Sequence, residues 1–195
     1  WFETTRIVYE PTNDIWVQVG GLGGPDDAAT MLWSNDAESW NAVAPALDGS
    51  IADNNRQFFY DVAWSDMHLK FVAASYATGR HEKKRIASST DGMNWNWDSA
   101  GEDFDSNMPE VYGIAWGNDK FVATSQSIYN GTTGGFAWSS DGDSWDYLEN
   151  NYPLRDSYPT ETKWKRILFA EDKDIWVVAA EQSLDTVDAG RSPIM

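Results

Sequence analysis

The chain has 195 residues, of which 42% are hydrophobic and 14% aromatic, enough apolar side chain to build a core. Its 14 basic and 31 acidic residues give a formal charge of −17, a field that repels nucleic-acid phosphates and anionic membrane surfaces, so nucleic-acid binding is not expected. Cysteine is absent, which removes disulfides and thiolate metal sites, and no apolar run approaches the ~20 residues of a membrane span, so no membrane insertion is expected.

Short apolar runs ending in aromatics or β-branched residues succeed one another along the chain, separated by Gly, Asn, Asp and Ser, the pattern of strands and turns. The first set comprises Ile7-Val8-Tyr9, Trp16-Val17-Gln18-Val19 and Met31-Leu32-Trp33, and runs into Ser34-Asn35-Asp36-Ala37-Glu38-Ser39-Trp40. After a polar connector at 45–55 the order repeats as Val62-Ala63-Trp64, Phe71-Val72-Ala73-Ala74 and Arg85-Ile86-Ala87, then Ser89-Thr90-Asp91-Gly92-Met93-Asn94-Trp95, with a further strand at Trp95-Asn96-Trp97. A third set follows the acidic connector 98–109: Ile114-Ala115-Trp116, Phe121-Val122-Ala123-Thr124, Phe136-Ala137-Trp138, Ser139-Ser140-Asp141-Gly142-Asp143-Ser144-Trp145, and a strand at Trp145-Asp146-Tyr147. Beyond the connector 149–162 a fourth set begins with Ile167-Leu168-Phe169 and Ile175-Trp176-Val177-Val178.

The Ser-x-Asp box recurs with its Trp residues 55 and 50 positions apart, the period of a radial or stacked repeat. Trp16 to Asp36, Phe71 to Asp91 and Phe121 to Asp141 are each 20 residues, so the interior of the unit is fixed while the connectors vary. Four antiparallel strands every ~50 residues is the unit of a β-propeller blade. The expected fold is therefore all-β, a propeller of four-stranded blades at about 5–48, 58–105, 111–152 and 163–195, in one domain or a fragment of one. The fourth blade is incomplete, its box Asp falling one residue past Met195. A first residue that is Trp1 instead of Met fits a chain that is processed, trimmed or part of a longer polypeptide.

In a tight hairpin the box Ser and Asp accept bonds from nearby amides, Gly92 and Gly142 tolerate positive φ, and Trp40, Trp95 and Trp145 fold back over the turn. A catalytic acid is needed once and a blade staple in every blade, so Ser34, Asp36, Ser89, Asp91, Ser139 and Asp141 are read as structural. The pattern resembles the Asp-box, or bacterial neuraminidase repeat, of propellers in sialidases, sortilin-type receptors, photosystem II assembly factors and many phage tail and adhesion proteins. It departs from the usual motif in that Asp91-Gly92 and Asp141-Gly142 are adjacent and Ala37 replaces the first Gly. The resemblance implies a fold and leaves the chemistry open.

A sialidase-like site would resemble three arginines around a substrate carboxylate, at the axis. Arg6 and Arg166 occupy equivalent blade positions just before the innermost strands, with Asp61 and Gly113 in the other two blades, and Arg6, Asp61 and Arg166 are candidate axial ligand contacts. A third arginine is missing there. His68 and His81 share no metal-ligand spacing, no nucleotide-binding fingerprint is present, and neither metal nor cofactor is expected. Asn130-Gly131-Thr132 is a formal glycosylation acceptor. Of 12 Trp residues, Trp1, Trp97 and Trp164 have no place in the repeat, and Trp97, Tyr112, Tyr147 and Trp164 are candidate glycan or protein contacts. The composite expectation is a non-enzymatic scaffold or recognition module in a virion, tail or cell-surface assembly, whose partners are protein chains or remaining blades, or a glycan. Two alternatives stand beside it: a glycoside hydrolase with the rest of its site in further blades, and a propeller that assists assembly of a protein complex.

Overall fold

The computed structural model describes residues 2–22, 31–43, 57–77, 85–96, 108, 110–127, 135–147 and 162–182. Trp97, His81, Asn130 and most of the connectors named above lie outside the described residues. Those described form antiparallel strands in four successive groups. Blade 1 contains β1 (Phe2–Glu10), β2 (Ile15–Leu22), β3 (Met31–Ser34) and β4 (Asn41–Ala42), paired in that order. Blade 2 contains β5 (Gln57–Ser65), β6 (Lys70–Ala77) and β7 (Ile86–Ser89), with a single bridge from Ser88 to Asn96 in the place of a fourth strand. Blade 3 contains β8 (Val111–Gly117), β9 (Lys120–Ser127), β10 (Phe136–Ser139) and β11 (Asp146–Tyr147), and blade 4 contains β12 (Thr162–Ala170) and β13 (Ile175–Gln182). A short ladder from Thr162 and Lys163 to Ser127 and Gln126 joins blades 3 and 4.

The third strand of each blade differs from its sequence reading by ending in the serine of the box, because Ser34, Ser89 and Ser139 pair with Trp16, Phe71 and Phe121. The first strands are longer than the apolar runs that mark them, and each carries a register shift at the same place: Thr4/Arg6, Phe59/Asp61, Val111/Gly113 and Trp164/Arg166. An extra residue in one strand bends it and re-aims its neighbours. The inserted positions Thr5, Tyr60, Tyr112 and Lys165 interrupt the alternation on which strand reading depends, so the sequence pattern breaks off there.

Alternation in β5 and β6 builds two cores, one on each face of blade 2. Phe59, Val62, Phe71 and Ala73 pack with Val17, Val19 and Met31 of blade 1, whereas Ala63, Val72 and Ala74 pack with Val111, Ile114 and Phe121 of blade 3. Small residues at the centre let the sheets approach closely. At Gly117 the approach is closest, since a Cβ there would stand 2.4 Å from Phe169 of blade 4. The outer faces of the end blades keep apolar side chains exposed, Ile7 and Tyr9 on β1 and Leu168 and Ile175 on blade 4.

Candidate functional site

Each Ser-x-Asp box closes a turn with the same set of bonds. Ser34 Oγ donates to Asp36 Oδ1 at 2.8 Å and accepts from the amides of Asp36 and Ala37, while Asp36 Oδ1 accepts from Glu38 and Ser39 at 2.8 and 2.7 Å. Ser89 with Asp91, and Ser139 with Asp141, reproduce the arrangement at 2.7–3.3 Å. Hydrogen bonds from the amides of Ser39 and Glu38 hold the Asp36 carboxyl down to about 2. Burial pushes Asp141 up, but the amides of Ser144 and Asp143 outweigh it and also leave that group at about 2. These carboxylates are consumed by their own turns, which suits a staple and not a proton shuttle.

The boxes also join blades. Trp95 Nε1 donates to Gly92 O at 3.0 Å and Trp145 Nε1 to Gly142 O at 3.3 Å, pulling each ring over its turn. Gly92 has φ +72° and a Cβ there would meet Val17 at 2.8 Å, whereas Gly142 has φ +80° and its Cβ would meet Val72 at 2.9 Å. The hairpin of one blade therefore sits on the second strand of the blade before it. Lys70 reinforces the second of these contacts by donating to Asp141 O at 2.9 Å and pairing with Asp143 at 2.6 Å. Ala37, with φ 59°, occupies the glycine place in the first box and is exposed, so its Cβ meets no such neighbour among the described residues. Trp40 is half-buried.

Bulges place the axial residues. Asp61 is 1% exposed and lies between two half-exposed guanidiniums, with Arg6 Nε at 3.6 Å and Arg166 Nη1 at 3.8 Å from its Oδ1. Its oxygens also accept from the amides of Val62 at 3.0 Å and Ile114 at 3.2 Å. Burial raises the carboxyl to about 6, against the opposing pull of Arg6, the Ile114 amide and Arg166. Arg166 donates further to Tyr60 O at 3.5 Å and Thr5 O at 3.2 Å, so one side chain of blade 4 reaches blades 1 and 2. Three residues from three blades thus converge, while Gly113, in the fourth equivalent position, lets Lys165 and Arg166 pass: a Cβ there would be 3.3 Å from Lys165 O.

The aromatic candidates do not converge. Tyr112 is 4% exposed, 4.8 Å from the ring of Tyr60 and beneath Lys165 Nζ at 3.8 Å, with its hydroxyl bonded to Glu110. Trp164 is 7% exposed and packs against Phe136, the two rings tilted by 43° with centroids 5.4 Å apart. It does have a place in the repeat, the core position before the bulge that Phe59 and Val111 fill in blades 2 and 3. Tyr147 is half-buried against the second core. His68 stands edge-on to Trp116 at 5.4 Å. Glu10, which no motif in the sequence marks, is buried at the end of β1 and accepts from the amides of Thr12 and Asn13. Ser65, its counterpart in blade 2, accepts from His68 N at 3.1 Å. Among the described residues no group of three or more His, Cys, Asp or Glu is placed to hold a metal ion, and no helix is long and apolar enough to cross a membrane.

No protein-family model and no curated protein matches the chain. Among solved structures, a chain of a nidogen/laminin complex aligns with a TM-score of 0.58 at 10% identity, over 92% of this chain and 57% of that one. Two β-1,3-galactosidases of family GH43 align with TM-scores of 0.32 and 0.31 at 13% and 10% identity, over 90% and 89% of this chain and 52% and 84% of theirs. The chain thus spans little more than half the length of the first two. Likeness at 10% identity speaks to fold alone, and together with the successive antiparallel groups the nidogen/laminin alignment gives an all-β protein of β-propeller architecture.

Proposed function

We propose that the chain is a non-enzymatic propeller scaffold or recognition module, its three turns being Asp-boxes of the bacterial neuraminidase type and 1–195 forming one propeller domain or a segment of one. Blades at about 5–48, 58–105, 111–152 and 163–195 follow from the constant 20-residue offset. The observation that carries the reading is the engagement of the conspicuous carboxylates: those of the boxes by turn amides, and Asp61 by two guanidiniums and two amides. Apolar outer faces at Ile7, Tyr9, Leu168 and Ile175 support protein contacts or further blades as what covers the ends. A place on a virion or cell surface rests on the resemblance of the shortened box to those of phage tail and adhesion proteins.

A glycoside hydrolase is the second reading, favoured by the convergence of Arg6, Asp61 and Arg166 and by an Asp61 carboxyl at about 6. Incubating the protein with a panel of sialosides and aryl glycosides separates the two. No turnover above buffer is expected. Turnover that Asp61→Asn abolishes would overturn the scaffold in favour of the hydrolase.

A further inference from the structure

Asp61 has two cationic neighbours and one charge to offer them. Arg6 from β1 and Arg166 from β12 stand 3.6 and 3.8 Å from the same oxygen, Asp61 Oδ1, beyond the ~3.2 Å limit of a good hydrogen bond. The carboxylate makes its hydrogen bonds elsewhere, with the amides of Val62 at 3.0 Å and Ile114 at 3.2 Å. An ion pair serving only to clamp blades together would gain most from short, bidentate contact, and neither of these pairs has it. The arginine side chains stay 49% and 48% exposed while that of Asp61 is 2% exposed, so the acid lies buried and the guanidiniums open to solvent.

The surroundings do not supply the second charge. Ile114 of β8 faces Asp61 through its amide, and Arg166 turns two donors to carbonyls, Thr5 O at 3.2 Å and Tyr60 O at 3.5 Å. The next cation, Lys165, lies over Tyr112 at 3.8 Å and pairs with Glu181 at 3.5 Å. Among the described residues, Asp61 is the one carboxylate paired with Arg6 and Arg166, which leaves a cationic excess within a chain of charge −17. Two guanidiniums drawn to one oxygen also repel each other, and a second anion between them relieves both imbalances. Nitrogens at 3.6 and 3.8 Å from a shared oxygen are close enough for one oxyanion, accepting at about 2.9 Å from each, to bridge them.

We infer that Arg6 and Arg166 form an axial site for a single oxyanion group, a sulfate or a carboxylate, whose affinity Asp61 sets by taking up a proton. With Asp61 ionised, the ligand competes with a negative charge already in place. Once Asp61 is protonated both guanidiniums are left to the ligand, and by linkage the ligand favours the proton. Burial, which raises this carboxyl to about 6, puts the change between pH 5 and pH 8. The inference rests on the recognition-module reading and deepens it by naming a ligand class.

Sulfate is the probe, because it stays a dianion from pH 5 to pH 8. Titrated into the 195-residue protein at constant ionic strength, it should saturably shift the side-chain Nε–H signals of Arg6 and Arg166 in heteronuclear NMR spectra. Affinity at pH 5 should exceed that at pH 8 by about fivefold or more. Arg6→Gln, which removes a half-exposed group and leaves the buried ones in place, should weaken binding at pH 5 by about tenfold or more. Asp61→Asn should bind alike at both pH values. Signals that drift without saturating, or equal affinity at pH 5 and pH 8 in the parent, overturn the inference, and neither result depends on a variant. So does a pH dependence that persists in Asp61→Asn, which gives it to the overall charge, or an equal shift with glucose, which makes the site one for neutral sugars. Glucose 6-sulfate separates the sources: binding no tighter than sulfate assigns a free ion and tighter binding a sugar-borne group, and either supports the site. Failure of the anion site leaves the glycoside assay unchanged, and turnover in that assay leaves sulfate binding unchanged.

Discussion

Trp95→Ala is expected to destabilise the protein by about 3–5 kcal/mol, the range for removing a large aromatic from a core. The ring is 8% exposed, donates to Gly92 O, and lies 6.2 Å from Phe71 in the core shared by blades 1 and 2. Truncation removes apolar area and frees the hairpin that presses on Val17. Trp40→Ala should cost less than half as much, because Trp40 is half-buried and its box meets no preceding blade among the described residues. Urea denaturation of both variants checks this, and equal losses would detach the staple role from inter-blade packing.

Asp61→Ala is expected to cost about 2–4 kcal/mol, chiefly because the buried amides of Val62 and Ile114 lose their acceptor and the two guanidiniums lose the charge between them. The half-exposed arginines recover part of their hydration, which keeps the figure below that for a fully buried pair. Asp61→Asn isolates the pH term. A carboxyl raised to about 6 binds its proton more tightly folded than unfolded, so its contribution is fully present below the unfolded value near 4 and is lost as pH rises through 6. The stability of Asp61→Asn relative to the parent should therefore rise between pH 4 and pH 6. Asp36 and Asp141 act in the opposite sense, their contribution being present above about 4 and lost as pH falls toward 2. Unfolding free energies measured from pH 3 to pH 8 distinguish the two, and a difference between Asp61→Asn and parent that is flat from pH 4 to 6 would remove Asp61 as the source.

The strands and the repeat are legible in the sequence because short apolar and aromatic runs mark the strands, with burial alternating at period two along β2 and both faces buried along β6, and because the box needs Ser, Asp and Trp at fixed separations to close its turn. Equivalence of Arg6, Asp61 and Arg166 is legible from the same alignment. Their pairing is not, since it depends on bulges that add one residue to each first strand and on blades meeting around an axis. Trp164 falls out of the repeat for the same reason, its counterparts Thr4, Phe59 and Val111 having no common residue type on the far side of the bulge. The seat under each hairpin leaves one trace in sequence, the glycine of Asp91-Gly92 and Asp141-Gly142. Its meaning appears only when Val17 and Val72 are found within 3 Å of the missing Cβ positions.

That the second and third boxes fasten their blades to the one before is tested most directly by a double-mutant cycle between Gly142→Ala and Val72→Ala. Gly142→Ala carries strain from φ +80° in any background, but its Cβ also meets Val72 Cγ2 at 2.9 Å, and that part disappears once Val72 is shortened. The two changes should couple, with Gly142→Ala costing less in the Val72→Ala protein by about 0.5–3 kcal/mol. Additivity to within about 0.3–0.5 kcal/mol would contradict the docking of box 3 on blade 2.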